Sequence, residues 1–507
     1  MDKSYKPEIL EAKWQHEYEK KKIGAPKDSG NPFCIMIPPP NITGSLHLGH
    51  GFQLTLMDTI IRYMRMNGRN TLWQMGTDHA GIATQMVVER QLAAQGLSKQ
   101  DLGRDEFIAK IWQWIEKSGS NIKSQIKRMG ASVDWDSEKF TLDESMSEAV
   151  ISAFVKLHRE GTIYRGNKLV NWDPVLQTAV SDLEVVSEEY TGSLWYLKYK
   201  VCGEDDFITV ATTRPETMFG DTAIAISPDD DRHKHLINKF VNIPLTSEKI
   251  KIIADSHIDP EFGTGFVKVT PAHDFNDYEI GKRHNLIVKN IFTPGACLNE
   301  NVPAEFRGLE RFEARKKVLQ QLDSQGLLEK TESHKMVIPK GDRSGAIIEP
   351  YLTQQWFVAT EKLAKPAVDV VKTGRLKFHP KNWENTYFNW LENIEDWCIS
   401  RQLWWGHRIP AWYDKSGNVY VGKSETEVRD FYKLAPEIEL EQDSDDLDTW
   451  FSSALWPFAT LGWPNKSIRL DTFFPTSLLV TGFDIIFFWV ARMVMFSLKF
   501  TGDIPFK

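Results

Sequence analysis

The stretch from Phe33 to Met75 limits the fold more than any other. FCIMI (33–37) is a short apolar run closed by three prolines, Pro38 to Pro40. LHLGHGFQLTLMDTIIRYMRM (46–66) carries apolar residues at helical spacing and stops at Asn67-Gly68. TLWQM (71–75) is a second short apolar run, closed by Gly76-Thr77. A strand, a helix and a strand in that order predict a parallel βαβ unit. Helices are predicted next at about 80–95, 105–129 and 144–160.

The texture changes near residue 165. SLWYLKYKV, FITVATT, TAIAIS and GFVKVT are short β-branched and aromatic runs separated by turn residues. From 341 onward, tryptophan and helical pattern return. With 507 residues the chain is too long for one ordinary core. The predicted class is α/β, a doubly wound parallel-sheet (Rossmann-like) domain interrupted by a mainly β domain. Its halves are 1–189 and 341–507, and the insertion is 190–340.

Composition narrows the classes. Hydrophobic residues make up 41% and charged residues 26%, ordinary for a globular protein. A net charge of −8 argues against bulk nonspecific nucleic-acid binding and leaves a local basic face open. Cys34, Cys202, Cys297 and Cys398 form no Cys-x-x-Cys pair, so neither a thiolate zinc site nor a disulfide framework is expected. The charged N-terminus lacks the apolar core of a signal peptide. FDIIFFWVARMVMFSL (483–498) is too short for a comfortable membrane span and contains Asp484 and Arg492, so a buried helix is expected.

Three constellations could carry chemistry. In PPPNITGSLHLGH (38–50), a strand ending in a turn before a helix gathers free N–H groups and the positive helix end, which suits a phosphate. His47 and His50 share a face there and could follow charge developing on a phosphate, while Gly49 would let a flat base approach. An isolated His-x-x-His would more often be plain packing. In GTDHAGIATQ (76–85), Asp78 follows a strand end and could pair with a substrate ammonium or simply cap a helix. ATTRPETMFGDTAIA (211–225) and GTGFVKVTPAHDFNDYEIG (263–281) offer Thr212, Thr213, Arg214, Lys268, Asp274 and Asp277. Singly these read as loop charges and strand residues. Together they could hold an amino acid ester and orient a water.

HLGH resembles the signature of the class I aminoacyl-tRNA synthetases, and PPPNITGSLHLGH is close to the form of their valyl branch. GTDHAGIATQ resembles that branch too, and the resemblance covers nearly the whole chain. It implies that His47 and His50 act on the phosphates of ATP, with Gly49, Gly482 and Asp484 on the nucleotide. It implies a valine pocket from Pro39, Asn41, Asp78, Trp450, Ile485 and Trp489. In the insertion it implies a site that hydrolyses threonyl-tRNA(Val). There Asp277 would bind the ammonium, and Lys268 and Thr270 would position ester and water. Arg214 would meet the terminal adenosine and Phe262 would wall the pocket, beside Thr212, Thr213 and Asp274. Asp484 also has a physical argument, because a carboxylate opening an apolar helix needs a partner, and ribose hydroxyls or the helix's own N–H groups would serve.

The resemblance implies ATP with Mg2+ as its nucleotide partner, and with no paired cysteines no protein-bound zinc is expected. The partners would be valine and tRNA(Val), mainly its acceptor 3′ end. No membrane partner is expected, and a cytoplasmic monomer is. The chain departs from the family in lacking a KMSKS-like loop, the nearest string being KMVIPK (335–340). It is therefore expected to be a fragment that edits and holds substrates but exchanges little pyrophosphate. The competing readings are an isoleucyl or leucyl relative, and a stand-alone tRNA-deacylating hydrolase.

Overall fold

The computed structural model describes Ser4 and residues 6–507 apart from Gly119 and Phe262. The chain forms two compact units. One joins residues 1–165 to 356–507, and the other runs from Gly166 to Gln355. The expected insertion, 190–340, lies inside the second unit, which takes in further residues on both sides.

The first unit is built on a four-stranded sheet in the order Leu478–Leu479, Pro32–Met36, Asn70–Thr77, Asp134–Phe140. Every neighbouring pair is parallel. Pro32–Met36 and Asn70–Thr77 are joined by the helix Leu48–Met66, which is the βαβ unit expected from the sequence. Asn70–Thr77 is buried at all eight positions, as a central parallel strand covered on both faces must be. The helix Glu144–Arg159 buries Met146, Ala149, Val150, Ala153, Phe154 and Leu157, a stripe at three- and four-residue spacing. Gly76 matters here. A Cβ on it would lie 2.2 Å from Cη2 of Trp456 and 2.4 Å from the Lys139 carbonyl oxygen, so only glycine lets that indole lie on the strand end.

The apolar stretch expected as one buried helix over 483–498 is different. Phe483–Ile485 is a 3₁₀ turn, Ile486–Val490 a π turn, and the α-helix is Ala491–Thr501. Its opening is exposed, so Asp484 is not a buried charge; Phe483 stacks on Trp383, with ring centroids 4.7 Å apart. The charge that is buried, Arg492, lies over the Trp397 ring at 3.9 Å, where the π face meets the guanidinium. No helix among the described residues is long and apolar enough to cross a membrane.

The second unit has a mixed sheet in the order Val267–Val269, Ala223–Ile226, Lys249–Ala254, Phe240–Asn242. A three-stranded antiparallel sheet has the order Leu328–Gly341, Val185–Lys200, Phe207–Thr212. Its core gathers Tyr199, Val210, Phe219, Ile224, Ile252 and Phe306 with Val318 and Leu322 of the helix Arg311–Ser324.

Candidate active site

In the parallel sheet the chain leaves Pro32–Met36 in one direction, toward Asn70–Thr77, while Leu478–Leu479 pairs on its other side. The strand order reverses there, and in open α/β sheets ligands bind outside the carboxyl ends of strands at such a point. A cleft of about 640 Å³ lies at this place, lined by His47, Gly49, His50, Gln53, Thr481 and Gly482 among others. The Gln53 amide donates to the Val480 carbonyl at 2.5 Å and ties the two walls together.

His47 is the N-cap of the helix Leu48–Met66, and His50 is three residues on. His47 Nδ1 accepts from the Gly49 amide at 3.1 Å, and His50 Nδ1 accepts from the His47 amide at 3.3 Å. The rings lie 3.9 Å apart. Because both Nδ1 atoms accept backbone N–H groups, each neutral ring carries its proton on Nε2. The pair thus presents two N–H donors at a helix start, which is what a developing phosphate charge needs. Burial, and then the neighbouring His47, lower the His50 pKa and keep that ring neutral. Gly49 has a steric reason in the structure itself. A Cβ there would lie 3.0 Å from His47 Cε1 and press on the ring. At the other wall, a Cβ on Gly482 would lie 2.3 Å from Asp484 Oδ1, so the bare glycine lets that carboxylate fold back.

Asp78 is buried and sits between two other strand ends. Asn41 bridges it in parallel, the Ile42 amide donates to its carbonyl, and its amide donates to the Pro40 carbonyl. It is not the cap of the next helix: the N-cap of Gly81–Ala93 is Ala80, without a side-chain bond. Asp78 Oδ1 accepts from the Thr141 hydroxyl at 2.9 Å. The Gly81 amide donates to Thr449 Oγ1 at 3.2 Å, which brings the helix Thr449–Ala454 alongside. Trp450 of that helix faces Phe488, and the Trp489 indole donates to the Ser453 carbonyl at 2.9 Å. Trp450 and Ile485 are half-buried, whereas Trp489 belongs to the core. These contacts join the Asn41 and Asp78 segments to Trp450 and Trp489; Pro39, two residues before Asn41, is half-buried.

The second unit holds a separate polar cluster. Lys268 Nζ donates to Thr217 Oγ1 at 2.8 Å, to Thr270 Oγ1 at 2.6 Å and to Asp221 Oδ1 at 3.3 Å. Asp221 also accepts from the hydroxyls of Thr270 and Tyr199, each at 2.7 Å. The Thr270 amide donates to Asp277 Oδ2 at 2.8 Å. Asp277 opens the helix Phe275–His284, whose N-cap is Asp274, accepting from the amides of Asn276 and Asp277. Burial, and then the charge of Asp274, push the Asp277 carboxyl up to about 7. Thr212 Oγ1 accepts from the Arg214 amide at 3.0 Å, and Thr213 is half-buried beside it. Arg214 is held internally: it donates to the His273 carbonyl at 2.9 Å and to Glu349 at 2.6 Å. Phe262 lies outside the described residues.

Several of these groups escape a reading of the sequence. Asp221, Thr217 and Glu216 stand inside ATTRPETMFGDTAIA without distinction, yet all three are buried and polar. Thr141 carries no motif signal, and His79 stands inside GTDHAGIATQ without distinction. Among the described residues no set of three or more His, Cys, Asp or Glu side chains is placed to hold a metal ion.

A parallel sheet with a cleft at its switch point, entered by HLGH, places the chain in the doubly wound α/β class, with the class I synthetase signature at the cleft. The chain belongs to the tRNA synthetases class I (I, L, M and V), whose family pattern matches residues 9–507. It is similar to the valine–tRNA ligase of Legionella pneumophila (strain Paris), 59% identical over 507 residues, which is 100% of this chain and 55% of that protein. It is also similar to the valine–tRNA ligase of Francisella tularensis subsp. tularensis (strain SCHU S4 / Schu 4), 58% identical over 509 residues, with the same two shares. The chain spans about half the length of the curated relatives it matches. Among solved structures, a LeuRS from Agrobacterium radiobacter K84 agnB2, in a ternary complex with tRNA and LeuAMS, shares the fold. The TM-score is 0.50 at 17% identity, over 99% of this chain and 67% of that one.

Proposed function

We propose that this chain carries the editing site and the valine and ATP pockets of a valyl-type synthetase that works in the cytoplasm on valine, ATP and tRNA(Val), and that by itself it exchanges little pyrophosphate. The observation that carries the reading is Asp78: a buried carboxylate at the switch-point end of the sheet, with Asn41 paired against it and Thr141 filling one oxygen. An α-ammonium is the natural partner for the other oxygen. An apolar wall of Pro39, Trp450, Ile485 and Trp489 would take the isopropyl group and leave no room for an added methylene. In the first step a valine carboxylate oxygen bonds to the α-phosphorus of ATP, and the bond to the β-phosphate oxygen breaks. Valyl-adenylate forms and pyrophosphate leaves. The Nε2–H donors of His47 and His50 stabilise the phosphate charge as that bond breaks, with Gly482 and Asp484 on the ribose side. A ribose hydroxyl at the tRNA 3′ end then displaces AMP from the carbonyl.

Threonine is nearly isosteric with valine, and an apolar pocket cannot strongly reject an added hydroxyl; the valine–threonine pair is the standard example. The Lys268–Thr270–Asp277 cluster supports a second, hydrolytic site. Asp277 would hold the ammonium of a threonyl ester, while Lys268 and Thr270 position ester and water. Arg214, Thr212, Thr213, Asp274 and Phe262 would frame the terminal adenosine and pocket. The test is deacylation of threonyl-tRNA(Val) by this chain. Cleavage well above the uncatalysed rate, lost by roughly 10² or more in Asp277→Ala, is the expected result. Deacylation no faster than in buffer would sink the editing reading. For the first site, calorimetry should show binding of L-valine in preference to L-isoleucine, and equal affinity would refute it.

A further inference from the structure

We propose that Thr141 is a positioning residue for Asp78, holding one carboxylate oxygen so that the other is left to meet an amino acid's ammonium. The inference rests on the reading of Asp78 given above.

Register brings the two residues together. Thr77 pairs with Phe140 in the parallel sheet, so residue 141 falls beside residue 78 where the strands end. Asn41 bridges Asp78 from the opposite side. Asp78 is thus the middle of a row of three strand ends, and Thr141 is its inner neighbour. The backbone fixes Thr141 twice. Its amide donates to the Thr77 carbonyl at 3.2 Å, and its carbonyl accepts from His407 Nε2 at 2.7 Å.

The hydroxyl is used completely. Thr141 Oγ1 donates its proton to Asp78 Oδ1 at 2.9 Å and accepts from the His79 amide at 2.9 Å. His79 Nδ1 is 2.7 Å away. Since the hydroxyl has one proton and gives it to Asp78, the ring nitrogen must be the donor, so His79 carries its proton on Nδ1. That same N–H lies 3.1 Å from Asp78 Oδ1. With the Ala80 amide at 3.4 Å, three donors therefore converge on one oxygen of Asp78, in a place where Thr141 and His79 are both fully buried. A buried carboxylate oxygen without such donors would turn to find them. With Oδ1 saturated, Oδ2 is the oxygen left to face a cation. His79 is fixed in turn, because its carbonyl accepts from the Thr84 hydroxyl at 2.6 Å and the Trp405 indole at 2.9 Å.

The test compares L-valine with 3-methylbutanoate, which keeps the carboxylate and isopropyl groups and lacks the amino group. Binding of both is measured by calorimetry on the wild type, Thr141→Val, Thr141→Ala and Thr141→Ser. The wild type should prefer L-valine. Thr141→Val should reduce that preference by about tenfold, the size of one lost charge-assisted bond, and leave 3-methylbutanoate affinity unchanged. Thr141→Ser should keep the preference. If Thr141→Val does not fold, Thr141→Ala carries the same comparison. Equal weakening of both ligands makes Thr141 a scaffold residue only and overturns the proposal, as does an unchanged preference. A wild type that binds both ligands alike overturns the reading of Asp78 itself, and this inference with it.

Discussion

The amide of Thr270 donates to Asp277 Oδ2 at 2.8 Å, in a place where burial and the charge of Asp274 raise the Asp277 carboxyl to about 7. An unfolded aspartate titrates near 3.9, so between those values the folded chain binds a proton that the unfolded chain does not. This group's contribution to stability is full below about pH 4 and is lost as pH rises through about 7. Asp277→Asn should therefore flatten the fall in urea midpoint between pH 5 and pH 8 relative to wild type. If only the ionised form holds a substrate ammonium, kcat/KM for threonyl-tRNA(Val) deacylation should rise with a midpoint near pH 7. Parallel stability slopes in wild type and variant would contradict the assignment.

Lys268 and Asp221 form a buried pair that the hydroxyls of Thr217, Thr270 and Tyr199 complete. Removing one charge strands the other. Lys268→Met should cost the second unit roughly 3–5 kcal/mol by chemical denaturation. Adding Asp221→Asn should recover a good part of that loss, because no uncompensated charge remains. Additive losses in the double variant would show that the two side chains do not depend on each other.

The parts of this fold that sequence makes legible are local. Phe33 to Met75 declares itself because apolar period, prolines and Asn67-Gly68 act within one short stretch. The strand Leu478–Leu479 has two residues, and it reaches Ile35 and Met36 across most of the chain, so no pattern marks it. Thr141 is invisible for the same reason: its importance comes from pairing of Thr77 with Phe140, which is a register and not a motif. Hydropathy around Asp484 predicts a helix that it opens, but a 3₁₀ and a π turn precede the helix and leave Asp484 exposed. The histidine pair was legible as a pair. Its tautomer was not, because that depends on which backbone amides each Nδ1 accepts.

Gly49→Ala sets helix propensity against ring placement. Alanine in place of glycine in a helix gains up to about 1 kcal/mol. Here the new Cβ would stand 3.0 Å from His47 Cε1 and push the ring from its capping position. The expected variant has a melting temperature no lower than wild type and an affinity for ATP weakened about tenfold. ATP affinity equal to wild type would mean that His47 does not face the nucleotide.

Gly482 and Asp484 give the matching test on the opposite wall of the cleft. A Cβ on Gly482 would lie 2.3 Å from Asp484 Oδ1, so Gly482→Ala must turn that carboxylate away. Both residues are exposed, and neither is part of the apolar core, so little stability should be lost. If Asp484 receives the ribose hydroxyls, the variant should bind ATP about tenfold more weakly, as should Asp484→Ala. The double variant should be no worse than either single one, because each removes the same contact. Calorimetric titration of ATP into the four proteins measures this. Additive losses would assign the two residues independent contacts, and unchanged affinities would remove Asp484 from the nucleotide site.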